Sequence, residues 1–322
     1  MESYKNRVSN WSKSFLSVML ILITSIVFTA CSEPNSKNSK FPSQIKDDSF
    51  NYEFLEIPNT KNLSSIACID DFVFVADFEL NKIMCLDLTG NVIKEVGKLG
   101  MGKNEFNSPI GLAIMGKYLY VLDSGSSRII KMDFNLNEVD HCYLPPLDSY
   151  DNYFDLAIDD SERVYLSVNA GGLYTGIFGE SDLHKISENS FALFNDKDKV
   201  LACQFYTLSK ERDKDIYESK EQPVVELVDG KISEIKFTYP NGYTPIDIDF
   251  DGSFVYSIAG YNQSVQVYDT SGEYVKTIHD FSIELQQSQI LLVPYGAKLA
   301  CCDNEIFFVT GSNGVHKING KN

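Results

Sequence analysis

The run Asp247-Ile-Asp249-Phe-Asp251-Gly252 sets a carboxylate on every second residue and then a glycine, which is how a calcium-binding loop begins. Such a loop closes on a bidentate glutamate at position twelve, but here position twelve is Ile258 and position nine is Val255. Aspartates alternating with Ile and Phe fit an inner β-strand that ends in an Asp-Gly turn better than they fit a calcium site. The other residues able to do chemistry are scattered. His141, His184, His279 and His316 stand singly in strand-like runs and read as structural, leaving no imidazole to serve as base or metal ligand where a ligand is expected. The cysteines include no C-x-x-C pair, so neither zinc nor a redox dithiol is signalled. Asn169 to Gly179 is glycine-rich but does not lead from a strand into a helix, so it reads as a mobile loop and not as a phosphate cradle.

The elements that position these residues come from a repeat. The triplets Ile66-Ala67-Cys68, Leu112-Ala113-Ile114, Leu156-Ala157-Ile158, Leu201-Ala202-Cys203, Ile246-Asp247-Ile248 and Leu299-Ala300-Cys301 have central residues 46, 44, 45, 45 and 53 positions apart. Ten residues after the central one, a strand-like run ends in Asp77, Asp123, Ser167, Ser257 or Thr310 in five of the six units. A second marker, an alternating apolar run ending in a turn residue, closes at Asp87, Asp133, Ser187, Asp229, Asp269 and Asn319. Short alternating strands between Gly, Asn and Asp turns, with four strands per unit at this period, make a propeller blade. The sixth unit stops after its third strand, and Phe50 to Ile57 is an orphan strand that would complete it and close the ring. The expectation is an all-β, six-bladed β-propeller over residues 49–322.

On that frame Asp247 stands on an innermost strand where the repeat otherwise has alanine. Burying an unpaired carboxylate costs several kcal/mol, so Asp247 needs a partner or channel water. Two positions earlier the six units place Ser65, Gly111, Asp155, Val200, Pro245 and Lys298. Asp155, Asp247 and Lys298 thus form the one polar constellation, expected at a channel mouth. The loops between blades, and those between second and third strands, gather on one face. They include Gly97–Pro109, Leu144–Tyr153, Asn169–Asp182, Ser209–Gln222, Tyr239–Thr244 and Phe281–Ala297. With Asp77 and Asp123 at their edge, and with Tyr150, Tyr174, Tyr243 and Tyr261 among their aromatics, these loops suit contact with a peptide, glycan or envelope protein. Ser209 to Gln222 carries nine charged residues of both signs and reads as a solvated excursion.

The second unit, Gly102 to Asn135, resembles an NHL repeat in its Gly-rich approach, Phe106, Pro109, the Leu119-Tyr120-Val121 strand, Asp123 and Arg128. The domain as a whole resembles NHL-type or TolB-like propellers. That resemblance implies a fold that hosts binding scaffolds and enzymes alike. Six-bladed lactonases hold a metal at the channel mouth through Glu, Asn and Asp; here the matching positions are largely Ser, Gly, Val and Pro, so that site does not carry over and no cofactor is expected.

Ahead of the repeat, Lys5, Arg7 and Lys13 form a basic region, and Phe15 to Phe28 is an apolar run of 14 residues, too short to span a bilayer. Thr29-Ala30-Cys31 follows and resembles a lipobox, with Phe28 in place of the usual Leu, Val or Ile. The resemblance implies a signal peptide over 1–30, a lipidated Cys31 and a flexible tether to residue 48, reaching roughly 50 Å when extended at about 3.3 Å per residue. The bacterial envelope follows, with the outer membrane as the expected side and the lipid as the only membrane contact. The mature chain would carry 25 basic and 44 acidic side chains, net −19, the wrong sign for nucleic acid. Its other cysteines, Cys68, Cys85, Cys142, Cys203, Cys301 and Cys302, mostly sit in apolar runs and read as small buried hydrophobes. The functional expectation is a monomeric, non-catalytic binding propeller. A metal-assisted hydrolase or lactonase at the channel mouth and a structural subunit of an envelope complex are the alternatives.

Overall fold

The structure is a computed structural model that describes residues 50–147, 152–168, 171–180, 182–189, 191–196, 199–204, 222–239, 245–259, 264–280, 297–302, 305–310 and 314–320. These residues form six four-stranded antiparallel sheets, each running in order from ring axis to rim. Blade 1 is β2 (Leu63–Ile69), β3 (Phe72–Asp77), β4 (Lys82–Leu86) and β5 (Val92–Val96). Blade 2 is β6 (Pro109–Met115), β7 (Tyr118–Asp123), β8 (Arg128–Asp133) and β9 (Glu138–Tyr143). Blade 3 is β10 (Tyr153–Ile158), β11 (Arg163–Val168), β12 (Gly172–Ile177) and β13 (His184–Ser187). Blade 4 is β14 (Phe191–Asp196), β15 (Lys199–Gln204), β16 (Gln222–Val228) and β17 (Lys231–Tyr239). Blade 5 is β18 (Pro245–Phe250), β19 (Phe254–Ala259), β20 (Ser264–Asp269) and β21 (Tyr274–Asp280). Blade 6 is β22 (Lys298–Cys302), β23 (Glu305–Val309), β24 (Gly314–Gly320) and β1 (Phe50–Glu56), the last pairing from Phe50 against Gly320 to Glu56 against Gly314. The orphan strand therefore closes the ring as expected.

Strand chemistry follows radial position. Middle strands such as β3 (FVFVAD) and β7 (YLYVLD) are covered on both faces by neighbouring blades, so they are apolar up to the aspartate that ends each. The outer strand β5 (VIKEV) is exposed along most of its length, and its charges blunt a free edge. Each pair of adjacent blades shares its own core: Phe74, Ile83 and Leu119 between blades 1 and 2, for example, and Leu63, Val75 and Phe307 between blades 6 and 1. The aspartates that end third strands hold the next turn. Asp87 accepts the N–H of Thr89 and of Asn91 at 2.9 Å, and Asp269 accepts those of Ser271 and Glu273 at 2.9 and 3.0 Å.

Two units differ from the sequence reading. Leu201-Ala202-Cys203 lies on β15, the second strand of blade 4, and the inner strand is β14. Second strands are as apolar as inner ones, so a matching triplet at the matching interval was a coincidence of burial. In blade 3, His184-Lys185-Ile186-Ser187 is the outermost strand, so the run that closes at Ser187 is not equivalent to the one that closes at Asn319 on β24. The third strand, β12, lies inside the stretch expected to be a mobile loop. Its glycines reflect close packing: a Cβ on Gly172 would stand 2.1 Å from the Ser187 carbonyl oxygen, at a φ of +103°.

Candidate functional site

Inner strands have one edge paired to the second strand and one edge facing the axis, where their N–H groups need partners. Here side chains of the preceding blade supply them. Leu112 N donates to Ser65 Oγ at 3.1 Å, Leu193 N to Asp155 Oδ2 at 2.8 Å and Leu299 N to Asp247 Oδ2 at 2.7 Å. One step along β18, Asp249 Oδ2 accepts from Cys301 N at 2.6 Å. Asn195 works in the reverse direction, accepting from Ile158 N at 3.3 Å and donating to the Ile158 carbonyl. Blades 1, 3 and 5 thus present an acceptor at one level of the ring, where blades 2, 4 and 6 carry Gly111, Ala192 and Lys298. A β-bulge just before Ser65, Gly111, Asp155 and Asp247 sets this common level. Asp247 is therefore the counterpart of Asp155, and not of the repeat's alanine; that place is taken by Asp249, while Val200 and Pro245 leave the set.

Lys298 spans the axis at this level. Its Nζ lies 2.6 Å from Asp155 Oδ2 and 3.3 Å from Asp247 Oδ1, joining blade 6 to its neighbour, blade 5, and to blade 3 three places round the ring. The three residues are 4%, 3% and 5% exposed, so two carboxylates and one ammonium are desolvated together. Burial pushes the Asp247 carboxyl up to about 7; Lys298 opposes this and the Asp155 charge adds to it. Burial acts to lower the Lys298 pKa, but the two carboxylates outweigh it and hold the ammonium above its ordinary value.

The triad is the floor of a cavity of about 590 Å³ that runs along the ends of the inner strands, past Cys68, Ile114, Asn195, Asp249 and Cys301, to Asp70, Gly116, Asp251 and Gly252 in the first hairpin turns. Its mouth is thus on the hairpin face, opposite the loop face where a site was expected; the described residues on the loop side of the triad, Ser64, Pro109 and Tyr153, do not line it. Asp251 at the rim accepts the N–H groups of Ser253 and Phe254 at 2.8 Å and the Tyr256 hydroxyl at 2.6 Å. Among the described residues no group of three or more His, Cys, Asp or Glu side chains is arranged to hold a metal ion.

The other candidates have separate places. Asp77 and Asp123, both fully buried, organise the loop face: Asp77 accepts from the N–H groups of Lys61, Glu79 and Leu80 at 2.8, 3.0 and 2.9 Å. Asp123 accepts from Asn107 N at 2.6 Å and from Arg128 Nε at 2.9 Å, while Arg128 Nη1 and Nη2 donate to the carbonyls of Met101 and Glu105 at 3.0 and 2.7 Å. Burial raises the Asp123 pKa against these bonds. Tyr174 is on strand β12, partly buried, with Lys185 Nζ 5.5 Å from its ring centre, and so is not part of a loop rim. Tyr150, Tyr243, Tyr261 and Cys31 lie outside the described residues. Asn195 and Ser65, which complete the ring of polar clasps, carry no local sequence signal; only the register of neighbouring blades reveals them.

No family model matches the chain, and no curated protein matches it in sequence. Solved structures do share its fold. Virginiamycin B lyase from Staphylococcus aureus aligns with 84% of this chain and 99% of its own at 12% identity and a TM-score of 0.52. A gluconolactonase from Xanthomonas campestris covers 84% and 90% at 13% identity and a TM-score of 0.56, and a Bacteroides fragilis protein described as exported covers 86% and 96% at 8% identity and 0.54. At these identities the likeness establishes the propeller fold and not an activity.

Proposed function

We propose that this chain is a non-catalytic binding propeller of the bacterial envelope, tethered to the outer membrane by lipid on Cys31, that captures a peptide, a glycan or the exposed part of an envelope protein. One observation supports the non-catalytic reading: the charged groups at the ring centre are bonded to one another and to strand-edge N–H groups, so their work is to hold blades together. The cavity above them is within the usual size range of small-molecule sites, roughly 300–1,000 Å³. Its carboxylate rim, Asp70 and Asp251, favours a cationic or hydroxyl-rich ligand such as an amine terminus or a sugar. The rival reading, a metal-assisted hydrolase, draws on the fold shared with the lyase and the gluconolactonase.

The test is thermal shift of the purified protein against peptides and glycans, and against calcium and zinc with and without chelator. A ligand that binds only the folded state stabilises it by about 2.7 kcal/mol at a hundredfold excess over Kd. The expected result is a shift with peptide or glycan that Asp70→Asn reduces. A metal shift abolished by Asp247→Ala and accompanied by lactone turnover would overturn the proposal, and silence with every peptide and glycan would favour the structural-subunit reading.

A further inference from the structure

The six cysteines of the propeller are distributed unevenly over its cores. Cys85, Cys142, Cys203 and Cys301 each belong to a different inter-blade cluster, between blades 1 and 2, 2 and 3, 4 and 5, and 5 and 6. Cys68 and Cys302 share one, the cluster between blades 6 and 1. Both are free thiols in the structure, and after burial the neighbouring Cys302 side chain is the largest influence raising the Cys68 thiol pKa. Cys302 Sγ also lies 3.2 Å from the carbonyl oxygen of Asp70, two residues beyond Cys68. Cys301 is adjacent to Cys302, but successive strand residues point to opposite sides, which sends Cys301 toward blade 5 and only Cys302 toward blade 1. Both Cys68 and Cys302 line the cavity wall.

We propose that Cys68 and Cys302 are a disulfide site that staples the closure of the ring. The boundary between blades 6 and 1 is where the two ends of the propeller sequence meet, so one bond there cross-links the inner strands β2 and β22 across almost the whole domain. The chemistry is thiol–disulfide exchange. One thiolate attacks a disulfide reagent and expels a thiol; the second thiolate then attacks the mixed disulfide and expels the other, so two protein thiols are oxidised, one disulfide is reduced and two protons are transferred to the leaving thiolates. Burial raises the Cys68 thiol well above its ordinary pKa, so exchange belongs to folding, before the ring closes over the pair. The inference does not depend on the binding function, which could fail while this holds.

The test refolds the full chain through a buffer of reduced and oxidised glutathione, alkylates free thiols under denaturing conditions without reductant, and maps the peptides by mass. Expected are a linked Cys68–Cys302 peptide and alkylation at the remaining five of the seven cysteines. Reduction should then lower the melting midpoint by on the order of 10 °C, because a closed loop of this length strongly restricts the unfolded chain. Alkylation of all seven, a different pairing, or a linked pair whose reduction leaves the midpoint unchanged would each overturn the proposal. Cys302→Ser should melt with the reduced form and lose its sensitivity to reductant; if instead it keeps the oxidised midpoint, the staple is refuted.

Discussion

Replacing Lys298 by methionine keeps the length of the side chain and removes the cation that lies between two buried carboxylates. The ammonium is 2.6 Å from Asp155 and 3.3 Å from Asp247, and all three residues are at most 5% exposed, so solvent cannot take over its role. Removing one member of such a pair costs about 3–5 kcal/mol. With m near 3 kcal/mol/M for a domain of this size, the urea midpoint should fall by roughly 1–1.7 M. The loss should also depend on pH. Without the ammonium, Asp247 rises further above its ordinary range, so above about pH 7, where wild type has already released this proton, the folded variant still binds one that the unfolded chain does not, and the deficit grows with pH there. Far-UV circular dichroism is the suitable probe, because the single tryptophan, Trp11, precedes the propeller. A triple variant, Lys298→Met with Asp155→Asn and Asp247→Asn, should recover most of the loss, since both amides remain able to accept the Leu193 and Leu299 N–H bonds. A midpoint lowered by less than about 0.3 M at pH 7.5, or a loss independent of pH, would refute the idea that Lys298 neutralises the ring centre.

Four further outcomes follow from the same geometry. Because Asp247 is raised to about 7 in the folded state, its contribution is complete below the unfolded carboxyl pKa and is lost as pH rises toward 7; Asp247→Asn should flatten the melting temperature over pH 4–7. On the acid side, hydrogen bonds lower Asp87 to about 2 and also lower Asp269, so stability should fall again below about pH 4 as those turns protonate, in wild type and variant alike. Arg128→Lys cannot reproduce three separate donors to Asp123, Met101 and Glu105, and should destabilise by about 2–4 kcal/mol while exposing the 97–108 loop to limited proteolysis. Deleting residues 50–56 leaves β24 as an open edge, and sedimentation should show aggregation where the intact chain is monodisperse.

The ring was legible because each blade is a local unit with its own punctuation. Strand-ending aspartates such as Asp87 and Asp269 hold their turns through bonds two and four residues ahead, so their role is written within a few residues of sequence. The orphan strand Phe50 to Glu56 was assignable because a three-stranded sixth blade had a free edge and nothing else to pair with. Blade 4 was misread for the opposite reason: β14 (FALFND) and β15 (KVLACQ) both have apolar centres with polar ends, and they are too alike in composition for pattern to rank them. Asp155, Asp247 and Lys298 were recognisable as polar residues in apolar company, but not their level in the ring. Asp247 and Asp249 are two residues apart on β18, so a slip between them leaves the alternation of faces unchanged, and only the clasps to Leu299 and Cys301 fix which level each occupies.

Sequence alone determined the fold class, the number of blades, the strand that closes the ring and the presence of a charged group at its centre, because periodicity, turn chemistry and the cost of a buried charge are all local. Tertiary structure decided the direction of the cavity, the clasping of one blade's N–H groups by the preceding blade's carboxylates, the placing of Cys68 and Cys302 in one inter-blade core, and the structural duty of Asp77 and Asp123. Each of these depends on which residues of different blades come to the same height around one axis, and that height is set by bulges and by packing between sheets, not by any neighbour in the chain.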